Sequence, residues 1–255
     1  MKYIVKLAKQ ILSLGIDLRL LYQIRFFPQY LLDRYRWKKA GGKVDSTFMI
    51  LSDYKGSAGT AKGHYFHQDL LVAGFVCQQN PVRHVDVGSR IDGFVAHVAS
   101  FREVEVIDIR PLADSEHANI TFIKGDFMAP NNLGKTDSLS CLHAIEHFGL
   151  GRYTDPIDVL GHEKGIENLV SFLNYGGILY LSFPIGLADE VQFNAHRIFH
   201  PCSIFNLISI RDKMSLQRFD YVDDKGTLHL NKKPEDAVGK VKYGCGIYTF
   251  KKNRN

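Results

Sequence analysis

Between residues 83 and 184, short β-branched and apolar runs alternate with stretches in which apolar residues recur at helical spacing. The runs are "RHVDVG" (83–88), "VEVIDI" (104–109), "ITFIKG" (120–125), "DSLSCLH" (137–143) and "GGILYLSFP" (176–184). Helical spacing occupies 69–80, where Pro81 ends it, then 92–101, about 144–149, and 162–174. Alternation of this kind predicts a mostly parallel sheet with helices on both faces. Near the end, "SLQRFDYVDDKGTLHL" and "YGCGIYTFKKN" are strand-like with no helix between them, which predicts an antiparallel hairpin on the sheet edge. The first 44 residues differ. Ile4, Leu7, Ile11, Leu14, Leu18 and Leu21 form one helical face, with Lys2, Lys6 and Lys9 opposite, so a basic amphipathic helix is expected. Pro28 breaks or starts the next helix, and "KAGGK" reads as a linker. The expected organisation is a helical extension over 1–44 and an α/β domain over 45–255.

Composition adds a core and a charge asymmetry. Of 255 residues, 45% are hydrophobic and 23% charged, as in a globular protein with a real interior. Residues 1–43 hold ten lysines and arginines against Asp17 and Asp33, a net +8, so the rest carries −3 of the chain's +5. The basic character therefore belongs to the extension, where it predicts contact of residues 1–40 with an anionic membrane surface or a membrane-bound partner, or else an arm packed on the main domain or on a second subunit. An acidic main body argues against nucleic acid as partner. Cys77, Cys141, Cys202 and Cys245 form no CxxC pair and read as free thiols in a reducing compartment. No apolar run approaches a membrane span, and Lys6 and Lys9 interrupt any signal-peptide core, so a cytoplasmic location is expected.

The chemistry concentrates where strands end. In "HVDVGSRIDGF" a strand closes on Asp86, and Gly88 and Gly93 allow a turn. A dinucleotide site needs a glycine where Arg90 stands, and Asp86 would repel a pyrophosphate. Both features suit a cationic ligand instead. Here the chain resembles the class I S-adenosylmethionine-dependent methyltransferases, whose first motif is acidic-x-Gly-x-Gly-x-Gly; Asp86 and Gly88 match, Arg90 departs, and Gly93 falls one place late. "VEVIDIRPL" ends on Asp108, at the family's ribose-binding acid, and "FIKGDFM" places Asp126 at its adenine-contacting Gly-Asp. "DSLSCLHAIEHFG" resembles the fourth motif, with His143, Glu146 and His147, and "LNYGGILYLSFP" the fifth. The resemblance covers about 83–250. It implies a Rossmann-like seven-stranded sheet and S-adenosylmethionine as cofactor, held by Asp86, Gly88, Gly93, Asp108, Asp126 and His143. "HVDVGSRIDGF", "LHAIEHFGLGRY", "GHEKGIENL" and "VQFNAHRIFHP" further resemble a bacterial methyltransferase-like group associated with surface polysaccharides, which implies a saccharide or lipid-linked saccharide acceptor.

Two irregular stretches, 149–165 and 185–201, fall at the carboxyl edge of the expected sheet and offer Asp155, Asp158, His162, Gln192, Asn194, His196, Arg197 and His200 to an acceptor. A sugar hydroxyl needs a base, and histidine suits that role near neutral pH. His196 is the expected base, His147 the next and His143 the third, with Glu146 beside them. His143 and His147, like His196 and His200, are four residues apart, a spacing that shares one face of a helix; without HExxH, no metal is expected. The competing reading is a methyltransferase fold without catalysis, a binding module in a polysaccharide assembly complex, because the Arg90 substitution touches the cofactor motif and fold does not establish activity.

Overall fold

A computed structural model describes residues 22–112, 115–130 and 133–254. The amphipathic helix expected before residue 22 lies outside the described residues. The chain divides into two compact units, 1–60 and 61–255.

In the first unit, α1 (Phe27–Lys39) carries Pro28 in its first turn, where a missing N–H costs nothing. None of its residues is buried. It ends at the Gly41–Gly42 turn, closed by Trp37 Nε1 donating to the Lys43 carbonyl (3.1 Å). The chain then folds back, so that Tyr54 stacks on Phe26 (5.7 Å between centroids) and its hydroxyl donates to Asp33 Oδ2 (3.2 Å).

The second unit is a sheet with helices on both faces. Its strands are β1 (His84–Val87), β2 (Val104–Asp108), β3 (Ile120–Lys124), β4 (Thr136–Leu142), β5 (Leu173–Ile185), β8 (Met214–Val222), β9 (Leu228–Lys232) and β10 (Gly244–Lys252), in the order β3-β2-β1-β4-β5-β10-β8-β9. A separate two-stranded ribbon pairs β6 (Glu190–Gln192) with β7 (His196–Ile198). The strands β1 to β5 of the main sheet pair in parallel, with registers such as Val85 opposite Glu105 and Leu139. β10 runs antiparallel to both β5 and β8. The period of two in a strand sends Val85 and Val87 to one face and His84 and Asp86 to the other. On the first face, Ile166, Leu169 and Val170 of α4 (Gly161–Phe172) and Ile210 of α5 (Ile208–Lys213) join the core. On the second, Val72, Ala73 and Val76 of α2 (His64–Gln79) pack with Phe94, Val95 and Val98.

The architecture agrees with the expectation in kind and departs in detail. The sheet has eight strands, not seven, because 215–230 is two strands rather than one. Asp223 accepts from the amides of Lys225 and Thr227, and Gly226 turns at φ 77°, so "DDKG" closes a tight turn. The edge is therefore β9, and β10 lies inside the sheet. The helix expected over 92–101 is a π turn (Ile91–Val95) followed by the single-turn α3 (Ala96–Ala99), since Gly93 leaves helical geometry at φ −124°, ψ −106°. The helix expected near 144–149 is one 3-10 turn, Ile145–His147.

Candidate active site

The strand order reverses between β1 and β4, and the crevice beyond their carboxyl ends is where open α/β sheets bind ligands. The turn leaving β1 is built from beneath. Asp86 is fully buried, and its carboxylate accepts from the Ser89 amide (3.0 Å), the Ser89 hydroxyl (2.6 Å) and the Ser140 hydroxyl (2.5 Å). The Ser89 hydroxyl in turn accepts from the Leu142 amide (3.1 Å), tying the turn to β4. Burial pushes the Asp86 carboxyl up to about 6. Asp86 thus organises the turn, and contrary to the expected direct ligand contact it is not among the residues lining the cleft. Gly88 does line it: at φ 73° it is left-handed, and a β-carbon there would stand 2.9 Å from that of Ala144. Arg90 obstructs nothing. Its backbone is extended (φ −70°), and its guanidinium pairs with Asp92 (2.9 Å) and lies 4.8 Å over the Tyr65 ring. Gly93 also stands off the cleft; a β-carbon there would run into the Asp69 carboxylate.

The cleft brings together Gly88, Asp108, Asp126, His143 and His147. Asp126 accepts from the Met128 amide (2.8 Å), which orients its carboxylate at the end of β3. Asp108 is already occupied. Arg110 donates to both of its oxygens, Nε to Oδ1 (2.9 Å) and Nη2 to Oδ2 (2.5 Å), and its guanidinium lies 4.5 Å from the Tyr153 ring centroid. Neither Arg110 nor Tyr153 was expected here. The signal for Arg110 was its place two residues after a strand-end acid; nothing local marks Tyr153.

From the cleft a closed circuit of side chains leads away. His143 follows β4 in the left-handed region (φ 49°), and its Nδ1 donates to Glu146 Oε1 (2.8 Å). Its ring stacks on His64 (5.5 Å, 2° between planes), His64 meets Tyr243 (5.6 Å), Tyr243 meets His196 (5.6 Å), and His196 meets His147 (6.4 Å). Glu146 closes the circuit, with Oε1 3.9 Å from His147 Nε2. Burial opposes charge on His143, but Cys245 and Glu146 beside it hold its pKa well above the ordinary histidine value. Burial and the His143 charge push His64 down to about 4, and burial lowers His147 and His196. The Ala195 carbonyl, 2.8 Å from His147 Nδ1, can only accept and so favours a proton there, leaving Nε2 with the lone pair, while Arg152 Nη1, which donates to the same carbonyl (2.7 Å), stands 3.4 Å from that nitrogen. Three buried atoms of the circuit, His143 Nε2, Glu146 Oε2 and His196 Nε2, have no hydrogen-bond partner among the described residues. His196 itself does not line the cleft. His64 and Tyr243 reach the circuit from the start of α2 and the approach to β10, where no motif announced them.

Several polar residues expected to face an acceptor hold the loops instead. Asp158 pairs with Lys164 and His200 Nδ1 accepts from the Cys202 amide, while Asp155 accepts from the amides of Gly149, Gly151 and Tyr153 and also lines the cleft. Arg197, 5% exposed, donates to the carbonyls of Glu146, Phe148 (2.6 Å) and Val159. Neither histidine pair is helical, and no group of three or more metal-ligating side chains suited to an ion occurs among the described residues. No helix among them is long and apolar enough to cross a membrane.

A family profile described as "Caenorhabditis protein of unknown function, DUF268" matches residues 126–231. No curated sequence matches the chain. Among solved structures, coclaurine N-methyltransferase bound to N-methylheliamine and S-adenosylhomocysteine is similar at 11% identity, with 98% of this chain and 93% of that one covered and a TM-score of 0.52. The Burkholderia thailandensis 1,6-didemethyltoxoflavin-N1-methyltransferase, bound to its substrate and S-adenosylhomocysteine, is similar at 10% identity over 73% and 79% of the chains, TM-score 0.52. The cyclase SpnF is similar at 14% identity over 78% and 86%, TM-score 0.52. The fold is that of the class I S-adenosylmethionine-dependent methyltransferases. None of these likenesses bears on the bacterial polysaccharide-associated group that the motifs resemble.

Proposed function

We propose that this protein is an S-adenosylmethionine-dependent O-methyltransferase acting on a saccharide or lipid-linked saccharide hydroxyl. The observation that carries the reading is the convergence of Gly88, Asp108, Asp126, His143 and His147 on one cleft at the switch point of the sheet. The residues fit the cofactor. A left-handed glycine keeps the turn free of a β-carbon, the Asp108 and Asp126 carboxylates suit a ligand that offers hydroxyl and amino hydrogens, and Arg110, the guanidinium lining the cleft, is already paired. Bound, the cofactor would supply an electrophilic methyl group. Asp108 and Asp126 would accept its hydroxyl and amino hydrogens. His147 would take the acceptor proton at Nε2, since its proton is favoured on Nδ1 and burial keeps the ring neutral. His196, without a place on the cleft, would stand behind it toward the acceptor. Residues 1–40 would contact an anionic membrane, which suits a lipid-linked acceptor.

A second reading, a methyltransferase fold that binds without transferring, is favoured by one observation: Asp108 is engaged by Arg110. Calorimetric titration with S-adenosylmethionine, S-adenosylhomocysteine and NAD tests the proposal. Binding of the first two and not NAD is expected; binding of NAD alone, or of none, would sink it. Tight product binding with no methyl transfer to any hydroxylated acceptor would favour the second reading.

A further inference from the structure

At the end of the sheet opposite the cleft, the pairing of β4 with β5 breaks. Thr136 pairs with Leu173 and Ser138 with Ile178, so five steps along β5 match two along β4. Residues 174–177 therefore bulge from the ladder. Tyr175 there is 58% exposed, and Gly176, left-handed at φ 78°, has nothing within 4 Å of where a β-carbon would stand. Bulges are over-represented beside functional sites. This one lines a cavity together with Asp137, Lys251, Lys252 and Arg254. Two further cations border it. The Lys135 ammonium lies 6.0 Å from the Tyr175 ring centroid, and the Lys213 carbonyl accepts from the amide of Asn253, which lines the cavity (2.9 Å). Lys252 is 8% exposed; its Nζ donates to the carbonyls of Val170 (2.7 Å) and Leu173 (2.8 Å) and lies 5.4 Å from the same ring centroid. None of the five cations has a carboxylate partner among the described residues. Asp137 accepts from the Val82 and Arg83 amides, and Asp212 pairs with Arg211. Burial first, then the charges of Lys135 and Lys213, hold the Lys252 ammonium below the ordinary lysine value. Like charges gathered without counter-charge repel, and a bound anion offsets that repulsion.

We infer that this cavity binds a phosphate-bearing ligand with two or more negative charges, whether a soluble diphosphate or a phosphorylated lipid headgroup. Charge sets the class. A carboxylate carries a single charge and would leave most of the cluster unmet, whereas lysine ammoniums and the planar fork of Arg254 suit phosphate oxygens. The open backbone at Gly176 lets such a group approach closely. Size follows from the surroundings. Residues 44–255 carry a net −3, so an extended polyanion would run from this cluster onto a body of its own sign, and a compact ligand would not. Position separates the site from the cleft: Asp137 stands at the start of β4, and His143 follows its other end. The inference does not rest on the methyltransferase reading, since no residue of the cleft takes part.

The test is calorimetric titration of the full chain with pyrophosphate, and with acetate as a singly charged control, at low ionic strength. Saturable pyrophosphate binding that added salt weakens, with none from acetate, is expected. The double variant Lys213→Gln/Lys251→Gln should lower pyrophosphate affinity at least about tenfold at an unchanged urea midpoint. Lys213→Arg/Lys251→Arg, which keeps both charges, should bind as the parent chain does. Co-sedimentation with phosphatidylcholine vesicles, plain or carrying phosphatidylinositol 4-phosphate, separates the two sources. Phosphoinositide binding that the glutamine variant weakens assigns the site to a headgroup, and pyrophosphate binding without it assigns the site to a soluble ligand. Equal pyrophosphate affinity in the parent and the glutamine variant, loss of binding in the arginine variant, or absence of both pyrophosphate binding and variant-sensitive vesicle binding would overturn the site.

Discussion

Arg110 holds both carboxylate oxygens of Asp108, the oxygens the proposed cofactor would need. On the proposed reading Asp108 accepts from two ribose hydroxyls, so Asp108→Ala should weaken S-adenosylmethionine binding roughly ten- to a hundredfold, the equivalent of about 1.5–3 kcal/mol. Removing the guanidinium frees both oxygens, so Arg110→Ala should tighten binding in the same calorimetric titration. Equal affinity in both variants would detach Asp108 from the cofactor. The histidines separate by position. His147→Gln should lower turnover by ~10²–10⁴-fold at unchanged cofactor affinity, and His196→Gln should raise the acceptor KM more than it lowers kcat. The opposite split would exchange their roles. The strand-end acids were legible because each follows a β-branched run directly. His64, Tyr65 and Tyr243 were not, because only the packing of α2 and β10 against the end of β4 gives them neighbours, and that contact leaves no periodic trace in the chain.

The strands announced themselves through apolar alternation, whereas the segments between them did not. "LHAIEHFG" has helical spacing, yet His143 and Gly149 both turn left-handed and confine the helix to one turn. The loops at the carboxyl edge looked like acceptor surface because they are polar. Half of the residues expected there, Asp155, Asp158, Arg197 and His200, instead bond backbone groups. Arg197 is the clearest case, since three carbonyls from two segments share one planar donor group. Lysine cannot reproduce that fork. Arg197→Lys should cost about 1–3 kcal/mol in urea unfolding; an unchanged midpoint would remove Arg197 from this role. For the extension, co-sedimentation with anionic vesicles should be strong at low salt and lost at high salt. Failure to bind, together with protease resistance of residues 1–40 in solution, would favour a packed arm.

Among the described residues, burial works against the charge of several histidines. His84 is pushed down to about 3, and His64 and His162 to about 4, by burial first in each case. An unfolded chain binds protons at these sites from about pH 6.5 downward, and the folded chain resists. Their stabilisation is complete above that pH and is lost as pH falls toward 4. Asp86, raised to about 6, acts oppositely, contributing below its unfolded value and losing that contribution as pH rises through 6. His143, also raised, acts above this window. Five lowered histidines, His147 and His196 included, against the raised Asp86 and Asp69 predict a urea midpoint lower at pH 4.5 than at pH 7; a flat profile would contradict the burial assigned to these rings.

The position of β10 also sets an order in time. The ribosome makes the β8–β9 hairpin before the strand that must stand between it and β5. During synthesis the parallel half can assemble around β1 and β4, but the edge of β5 stays open and the hairpin has no sheet to join. At ~5–20 residues per second, that interval lasts on the order of seconds. Throughout it, an unpaired β5 edge is available to other chains, so the nascent protein is most exposed to misassociation just before its fold closes.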